Sequence, residues 1–154
     1  MAFADPLVQR FSWTRSEPYT EADARAYFAA LQDAASGELG FALVSPAADR
    51  DVCGGASLYA IELAEQRAAV GYWLAPHARR RGVATHATRL LARWAFEVLA
   101  LERLELTCGP DNEASQRVAE RCGFTREGML RSHMRFKGGR RDTVVYGLLP
   151  GELR

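Results

Sequence analysis

Hydrophobic and polar residues follow two spacings along the chain, and the changes between them mark the expected helices and strands. Apolar residues recur at helical spacing in three segments, whereas short apolar runs bounded by turn residues fill most of the rest. The helical segments are residues 20–34, a long stretch that begins at Val83, and residues 112–124, while the strand-like segments are 40–45, 53–63, 68–74, 103–108 and a closing hairpin of 125–136 and 142–149. This order predicts an α+β (α/β) domain on one largely antiparallel sheet, in which the two strands flanking the long helix form the parallel pair.

The ends and faces of the helices carry further signals. Thr20 is a candidate N-cap of the first helix, with Asp23 three residues later, and Gly123 is suited to end the last one. In the long helix the apolar stripe consists of Val83, Ala87, Leu90, Leu91, Trp94, Ala95 and Val98, with Arg89, Arg93 and Glu97 on the other side. We therefore expect this helix to pack one face on the sheet.

Composition and charge limit what such a chain can do. Its 154 residues suit a single domain, residues 1–154, with a sizeable core. The net charge of +1 argues against binding nucleic acid by bulk charge, so we expect no DNA partner. No apolar run approaches membrane length and the start lacks a signal-peptide core, so we expect a cytoplasmic protein with no membrane contact.

The three cysteines, Cys53, Cys108 and Cys122, are odd in number and lack the short spacings of metal ligands. We interpret them as reduced, mostly packed thiols and expect no bound metal. A catalytic cysteine paired with a histidine is the alternative, although no nucleophile signature surrounds any of the three.

The most basic stretch of the chain, PHARRRGVATHATRLLARWAF (76–96), joins a strand to the long helix. The strand ends at Leu74, Gly82 lies in the turn, and the helix N-terminus offers unpaired backbone N–H groups and the positive end of a dipole. Such a strand, glycine turn and helix can hold a phosphate or pyrophosphate. The spacing fits neither a Walker A loop nor a three-glycine dinucleotide fingerprint. A phosphate site and a solvated basic turn therefore both stay open, with nucleic-acid binding as a third interpretation.

Arg79, Gly82 and Ala84 stand in the spacing Arg-x-x-Gly-x-Ala inside GYWLAPHARRRGVATHATRLLARWAF, and LERLELTCGPDNEASQRVAERCGFTREGMLR follows. In this order the two segments resemble the GNAT N-acetyltransferase superfamily, in particular its Rim-type branch of ribosomal-protein N-terminal acetyltransferases. The resemblance runs from about Thr20 to the C-terminus. It implies the GNAT fold, a central and mostly antiparallel mixed sheet with a splayed parallel strand pair and flanking helices.

The resemblance also implies a site for acetyl-CoA, the acyl donor of the family. The backbone of the strand before the motif is expected to hold the pantetheine arm, and the turn and helix N-terminus to hold the pyrophosphate. The cofactor-binding residues so implied are Tyr72, Trp73, Leu74, Arg79, Arg80, Arg81, Gly82, Val83, Ala84, Thr85, Asn112 and Ser115. We expect Gly82 to matter more than any single arginine, because the backbone N–H groups behind it form the anion site.

The resemblance marks the catalytic groups less clearly. Many relatives have a tyrosine acid in the last helix and a glutamate base in the strand before the motif, where this chain has Ala119 and Ala69. The Rim-type branch places Ser115 near the thioester sulfur, so we expect it to donate a hydrogen bond or a proton to the departing thiolate. A first-turn serine that bonds its own backbone is the alternative.

The general base has several candidates. Glu62 and Glu105, on strands beside the motif strand, are catalytic candidates that would act through water, although each also fits a solvated strand-face carboxylate. His77, next to the arginine turn, and His133, in the hairpin, are the others. A site without a dedicated base would suit an α-amine, with a pKa near 8, better than a lysine near 10.4.

The implied function is transfer of an acetyl group from acetyl-CoA to a primary amine, either a protein N-terminus or a small molecule. A catalytically degenerate CoA-binding module is the alternative. Relatives usually begin with a strand and a helix ahead of the segment that matches ADPLVQRFSW, so we expect either a missing first strand or a start shorter than that of the natural protein. A sheet edge left open in this way favours pairing with a second copy, and we therefore expect a homodimer.

Overall fold

In the part of the chain that the structure describes, four α-helices and six strands follow one another in nearly the predicted order. The structure is a computed structural model that describes residues 5–12, 20–31, 37–45 and 51–154. Its elements are α1 (Pro6–Phe11), α2 (Glu21–Leu31), β1 (Leu39–Val44), β2 (Val52–Glu62), β3 (Arg67–Leu74), α3 (Val83–Glu97), β4 (Arg103–Cys108), α4 (Glu113–Cys122), β5 (Thr125–Phe136) and β6 (Gly139–Leu148). Most strand ends lie within a residue of the prediction, and α1 is an additional helix.

The six strands form one mixed sheet in the order β1-β2-β3-β4-β6-β5. Every neighbouring pair is antiparallel except β3 and β4, which are parallel and are joined by α3. Parallel neighbours need a crossover of a dozen or more residues, and α3 supplies it. The predicted mostly antiparallel sheet, with its parallel pair on either side of the long helix, is confirmed.

Helices α3 and α4 pack against each other and cover the sheet, α3 over β2 and β3, and α4 over β4 and β5. The core beneath them joins Leu58, Val70 and Leu106 of the strands to Leu91 of α3 and Ala119 of α4. Alternate residues of a strand point to the same face of the sheet. The residues of β4 are therefore half-buried and buried in strict alternation.

The buried face of α3 differs in part from the predicted stripe. Ala87, Leu91 and Ala95 are buried as predicted, but the prediction was wrong for Leu90 and Val98, whose exposures are 52% and 64%. The buried face also includes the two residues Thr88 and Ala92, because the helix is turned toward that side. Trp94 packs against the core, and its ring meets Phe41 of β1 edge-on at 5.6 Å.

The predicted helix caps are confirmed. The Thr20 hydroxyl accepts the N–H of Asp23 at 3.3 Å, and the Asp23 carboxylate accepts the N–H of Thr20 at 2.8 Å. At the end of α4 the N–H of Gly123 donates to the carbonyls of Ala119 and Glu120. These reciprocal bonds satisfy backbone groups that have no partner inside the helix.

Helix α1 was not predicted from the hydrophobic pattern of the chain. Asp5 is its N-cap and accepts the N–H groups of Leu7 and Val8 at 3.0 and 3.1 Å, and Pro6 occupies its first turn. An aspartate followed by a proline is a recognised helix start, so the signal was present. At six residues the helix is too short for its hydrophobic period to show in the sequence.

Candidate active site

Strands β3 and β4 pair only over their first residues and then diverge. The third and last pair of their parallel ladder is Ala69 with Glu105. Beyond it β3 stays paired with β2, and β4 with β6, but no further β3–β4 pair follows in this fully described part of the chain. We call the opening between residues 70–74 of β3 and 106–108 of β4 the fork. The predicted splayed pair is confirmed.

The N-terminus of α3 lies at the open end of the fork, directly after the loop that leaves β3. Gly82 is its N-cap in the left-handed region, with φ of 77°, and no side chain caps the helix there. The N–H of His86 makes the first intrahelical bond, to the Gly82 carbonyl at 2.9 Å. The N–H groups of Val83, Ala84 and Thr85 precede that bond, which is the arrangement that accepts a phosphate oxygen.

The three arginines before Gly82 have different surroundings. The guanidinium of Arg79 is half-buried and donates to the carboxylate of Asp5 and, at 3.2 Å, to the carbonyl of Leu74. Arg80 and Arg81 are exposed and form no ion pair with any described residue. Arg79 therefore ties α1 and the end of β3 to this loop, whereas the other two arginines are available to an anion.

At the end of β3 the side chain of Trp73 and the strand backbone have different surroundings. The Trp73 ring lies over Gly55 of β2, so closely that a Cβ added to Gly55 would come within 2.5 Å of Trp73 Nε1. The indole therefore packs against β2. The backbone of residues 72–74 is the part of β3 that borders the fork. Contact of this backbone with a pantetheine arm stays a prediction.

Tyr72 and Ser115 meet across the fork through their side chains. The Tyr72 hydroxyl and Ser115 Oγ lie 2.8 Å apart, which joins β3 to the first turn of α4. Asn112 is the N-cap of α4, and its Oδ1 accepts the N–H of Ser115 at 3.2 Å. The Ser115 hydroxyl thus has a side-chain partner on β3, while the N–H of Ser115 is held by Asn112.

Burial controls the titration of the groups near this pair. Burial raises the pKa of the Tyr72 phenol well above its usual value of 10.0, and the hydrogen bond with Ser115 offsets part of the shift. Burial likewise raises the pKa of the Cys108 and Cys122 thiols to about 11. All three groups are protonated at neutral pH, so neither cysteine is a thiolate nucleophile. The three cysteines are free, and Cys108 and Cys122 are buried, as predicted.

Glu105 lies at the base of the fork and is held by an arginine. Arg103 donates to Glu105 Oε1 from Nε and Nη2 at 3.1 and 3.0 Å, and to Glu127 of β5 at 2.6 and 2.9 Å. The hydrogen bond from Arg103 lowers the pKa of Glu127. The second oxygen of Glu105 has no hydrogen-bond partner among the described residues, so a water could use it.

Glu62 lies away from the fork. It pairs with Arg67, the first residue of β3, through two bonds of 2.9 Å, and both side chains are nearly half exposed. Five residues separate Arg67 from Tyr72, roughly 17 Å along a strand. The structure therefore does not bring Glu62 together with Ser115, and it joins only Glu105 to the fork.

The two histidine candidates are both surface groups. His77 Nε2 lies 3.1 Å from the carboxylate of Asp51, and both side chains are about half exposed. His133 is exposed on β5, and its carbonyl accepts a hydrogen bond from Arg140. Within the described residues no hydrogen bond or ion pair joins either histidine to Tyr72 or Ser115, so the structure gives no support to either as the base.

Both alanines that stand where many relatives have the catalytic acid and base are buried. Ala119 is fully buried and Ala69 is 8% exposed. Ala69 pairs in the ladders with Tyr59 on one side and Glu105 on the other. A carboxylate is thus present one strand away from the position where relatives have their glutamate.

Comparison with known proteins places this architecture in a family. The acetyltransferase (GNAT) domain model matches residues 1–125, most of the chain. The chain belongs to the GNAT acetyltransferase family. Members of this family use acetyl-CoA as the donor, and the fork, with the α3 N-terminus at its open end, is where the resemblance locates that group in this GNAT chain.

Individual relatives agree with this assignment. The chain is 38% identical to "Putative ribosomal N-acetyltransferase YdaF" of Bacillus subtilis over 68% of its own length and 57% of the relative's. A GCN5-related N-acetyltransferase structure from Brucella melitensis has a TM-score of 0.80 at 34% identity, covering 94% of this chain and 65% of that one. A "putative ribosomal-protein-serine acetyltransferase" from Vibrio cholerae has a TM-score of 0.77 at 27% identity, covering 95% and 82%. The matches thus span little more than half the length of the curated relatives.

The described ranges contain neither a membrane-spanning helix nor a cluster of metal-binding side chains. None of the helices there has the length and hydropathy to cross a membrane. No group of three histidine, cysteine, aspartate or glutamate side chains in those ranges is placed to share a metal ion.

Proposed function

We propose that the protein transfers the acetyl group of acetyl-CoA to a primary amine, and that the acceptor is the N-terminal α-amine of a polypeptide. The observation that carries the proposal is the fork, which opens beside the uncapped N-terminus of α3 in a chain of the GNAT family. The pyrophosphate would bind the N–H groups of Val83, Ala84 and Thr85, with charge added by Arg80 and Arg81.

The chemistry requires a neutral amine, a polarised thioester carbonyl and a stabilised thiolate. Ser115 would donate to the sulfur from the first turn of α4. Glu105 would take the amine proton through water, since Glu105 pairs with Ala69 at the base of the fork and Arg103 holds its Oε1. A carboxylate that acts through water is a weak base, which suits an α-amine with a pKa near 8.

The charge near the closing hairpin supports a polypeptide acceptor over a polycation. Arg131, Arg135 and Arg140 are exposed on β5 and β6 and would repel a polyamine. Two of the relatives above carry ribosomal substrates in their names, which fits the same class of acceptor.

A thiol-release assay tests this function. We expect acetyl-CoA-dependent release with a peptide that has a free N-terminus, and none with the same peptide blocked at its N-terminus but carrying a lysine. Turnover with spermine and not with peptides would overturn the acceptor class. No binding of any acyl-CoA in calorimetry would overturn the function.

A second candidate is a module that binds CoA without transfer. The enclosed Ala69 and Ala119 favour it, because neither position offers an acid or a base. Tight acetyl-CoA binding, together with no thiol release across a broad panel of amines and peptides, would establish it.

A further inference from the structure

The hydroxyl pair across the fork can be donated from either side, and one of the two directions frees the proton of Ser115. A serine hydroxyl has one proton to donate and can accept from another donor at the same time. The Tyr72 phenol, whose pKa burial raises, keeps its proton and can donate it to Ser115 Oγ at 2.8 Å. The proton of Ser115 must then point away from Tyr72.

The two polar groups of Ser115 have different partners. The Ser115 N–H is bonded to Asn112 Oδ1, and Tyr72 is the side-chain partner of its Oγ. Tyr72 reaches this position from the part of β3 that has left β4, so the pair borders the open fork. With Tyr72 as the donor, the proton of Ser115 can point into the fork, where the thioester would lie.

Helix α4 leaves no room for an acid of its own on this face. Ala119 follows Ser115 by one turn and is fully buried, so a tyrosine at position 119 would have to displace the core. Tyr72 brings a phenol to the same helix from the sheet instead. Cys108 of β4 and Cys122 of α4 lie near enough to raise the pKa of its hydroxyl slightly.

We propose that Tyr72 is a positioning residue that directs the Ser115 hydroxyl proton toward the thioester sulfur, in place of the tyrosine that relatives have at position 119. The inference rests on the proposed acetyl transfer. In that reaction the N–C bond forms and the C–S bond breaks, the amine loses its proton to water, and the thiolate gains one from water. Ser115 donates a hydrogen bond to the sulfur as its charge grows, and no proton leaves Tyr72.

A double-mutant cycle tests the coupling. Tyr72→Phe should lower kcat about fivefold, the worth of one neutral hydrogen bond, with KM for acetyl-CoA changed less than about twofold. In a Ser115→Ala background the same change should alter kcat less than about twofold. Tyr146→Phe is the matched control, because the Tyr146 hydroxyl also joins the sheet to α4, at Gln116 and Glu120. It should leave kcat at the wild-type value.

A binding comparison tests the same geometry without turnover. Calorimetry would compare CoA with desulfo-CoA, which lacks the thiol. Wild type should bind CoA about threefold more tightly, and both Tyr72→Phe and Ser115→Ala should abolish that preference. Two results would overturn the inference. One is a double mutant whose fold-loss in kcat equals the product of the two single-mutant losses, and the other is a Tyr72→Phe variant that still prefers CoA to desulfo-CoA as wild type does. Binding without any thiol release would overturn the proposed function alone, and absence of CoA binding would overturn both.

Discussion

Replacing Gly82 by alanine separates the anion-site role of this turn from its backbone conformation. At φ of 77° and ψ of −1°, a residue with a Cβ costs about 1–2 kcal/mol. A Cβ there would meet nothing within 4 Å, so no clash adds to that cost. For a chain of this size, each kcal/mol lowers the melting temperature by about 2–4 °C.

The effect on acetyl-CoA should be larger than the effect on stability. The added methyl group would project into open space, and in the proposed site this is the space through which a phosphate reaches the N–H groups of α3. Loss of one hydrogen bond to a charged group costs about 1.5–3 kcal/mol, which is roughly a 10- to 150-fold rise in Kd. Gly82→Glu should weaken binding further, because it adds a like charge beside the phosphate.

Gly138 provides the matched control. It has φ of 83°, a Cβ there would also meet nothing within 4 Å, and it lies in the turn between β5 and β6. Gly138→Ala should therefore lose the same stability as Gly82→Ala and keep wild-type affinity. Thermal unfolding and calorimetry on the two variants and wild type measure both quantities. Equal Kd values for the two variants would refute the assignment of the pyrophosphate to this turn.

Three further predictions concern other parts of the molecule. The hydrogen bond from Arg79 lowers the pKa of Asp5 below its usual 3.8, so Asp5 stabilises the fold above that value and loses this contribution as the pH falls through its folded pKa. Asp5→Asn keeps an N-cap, so wild type should have the larger free energy of unfolding in urea near pH 6, and the difference should disappear near pH 2. A difference that is constant with pH would contradict this. Glu105→Gln should lower kcat at least tenfold at about pH 7.5, whereas Glu62→Gln should not; equal losses would contradict the separation of the two carboxylates. Edge strand β1 exposes Phe41 by 43%, so we expect a dimer in sedimentation at about micromolar concentration that Phe41→Lys dissociates, and a monomeric wild type would argue against it.

Local patterns along the chain were sufficient to predict most of the fold. Strand segments, the Thr20 cap and the Gly123 helix end depend on neighbours within a few residues, so the sequence carries them directly. The long helix between two strands also determined the parallel pair, because only such a crossover can join parallel neighbours. The burial of Leu90 and Val98 was predicted wrongly, since the rotation of α3 depends on the sheet beneath it.

The sequence by itself determined that Gly82 lies in a turn between a strand and a helix, and it left an anion site and a solvated basic turn both open there. The resemblance favoured a CoA site at this turn, because the motif is contiguous and uses backbone groups. Only the tertiary structure decided the roles of individual side chains. Arg79 is held by Asp5, 74 residues earlier, while Arg80 and Arg81 stay exposed, and three adjacent arginines look alike in a sequence. Likewise, no pattern pairs Tyr72 with Ser115, which lies 43 residues away, because hydrogen bonds between distant side chains depend on where the folded chain brings them.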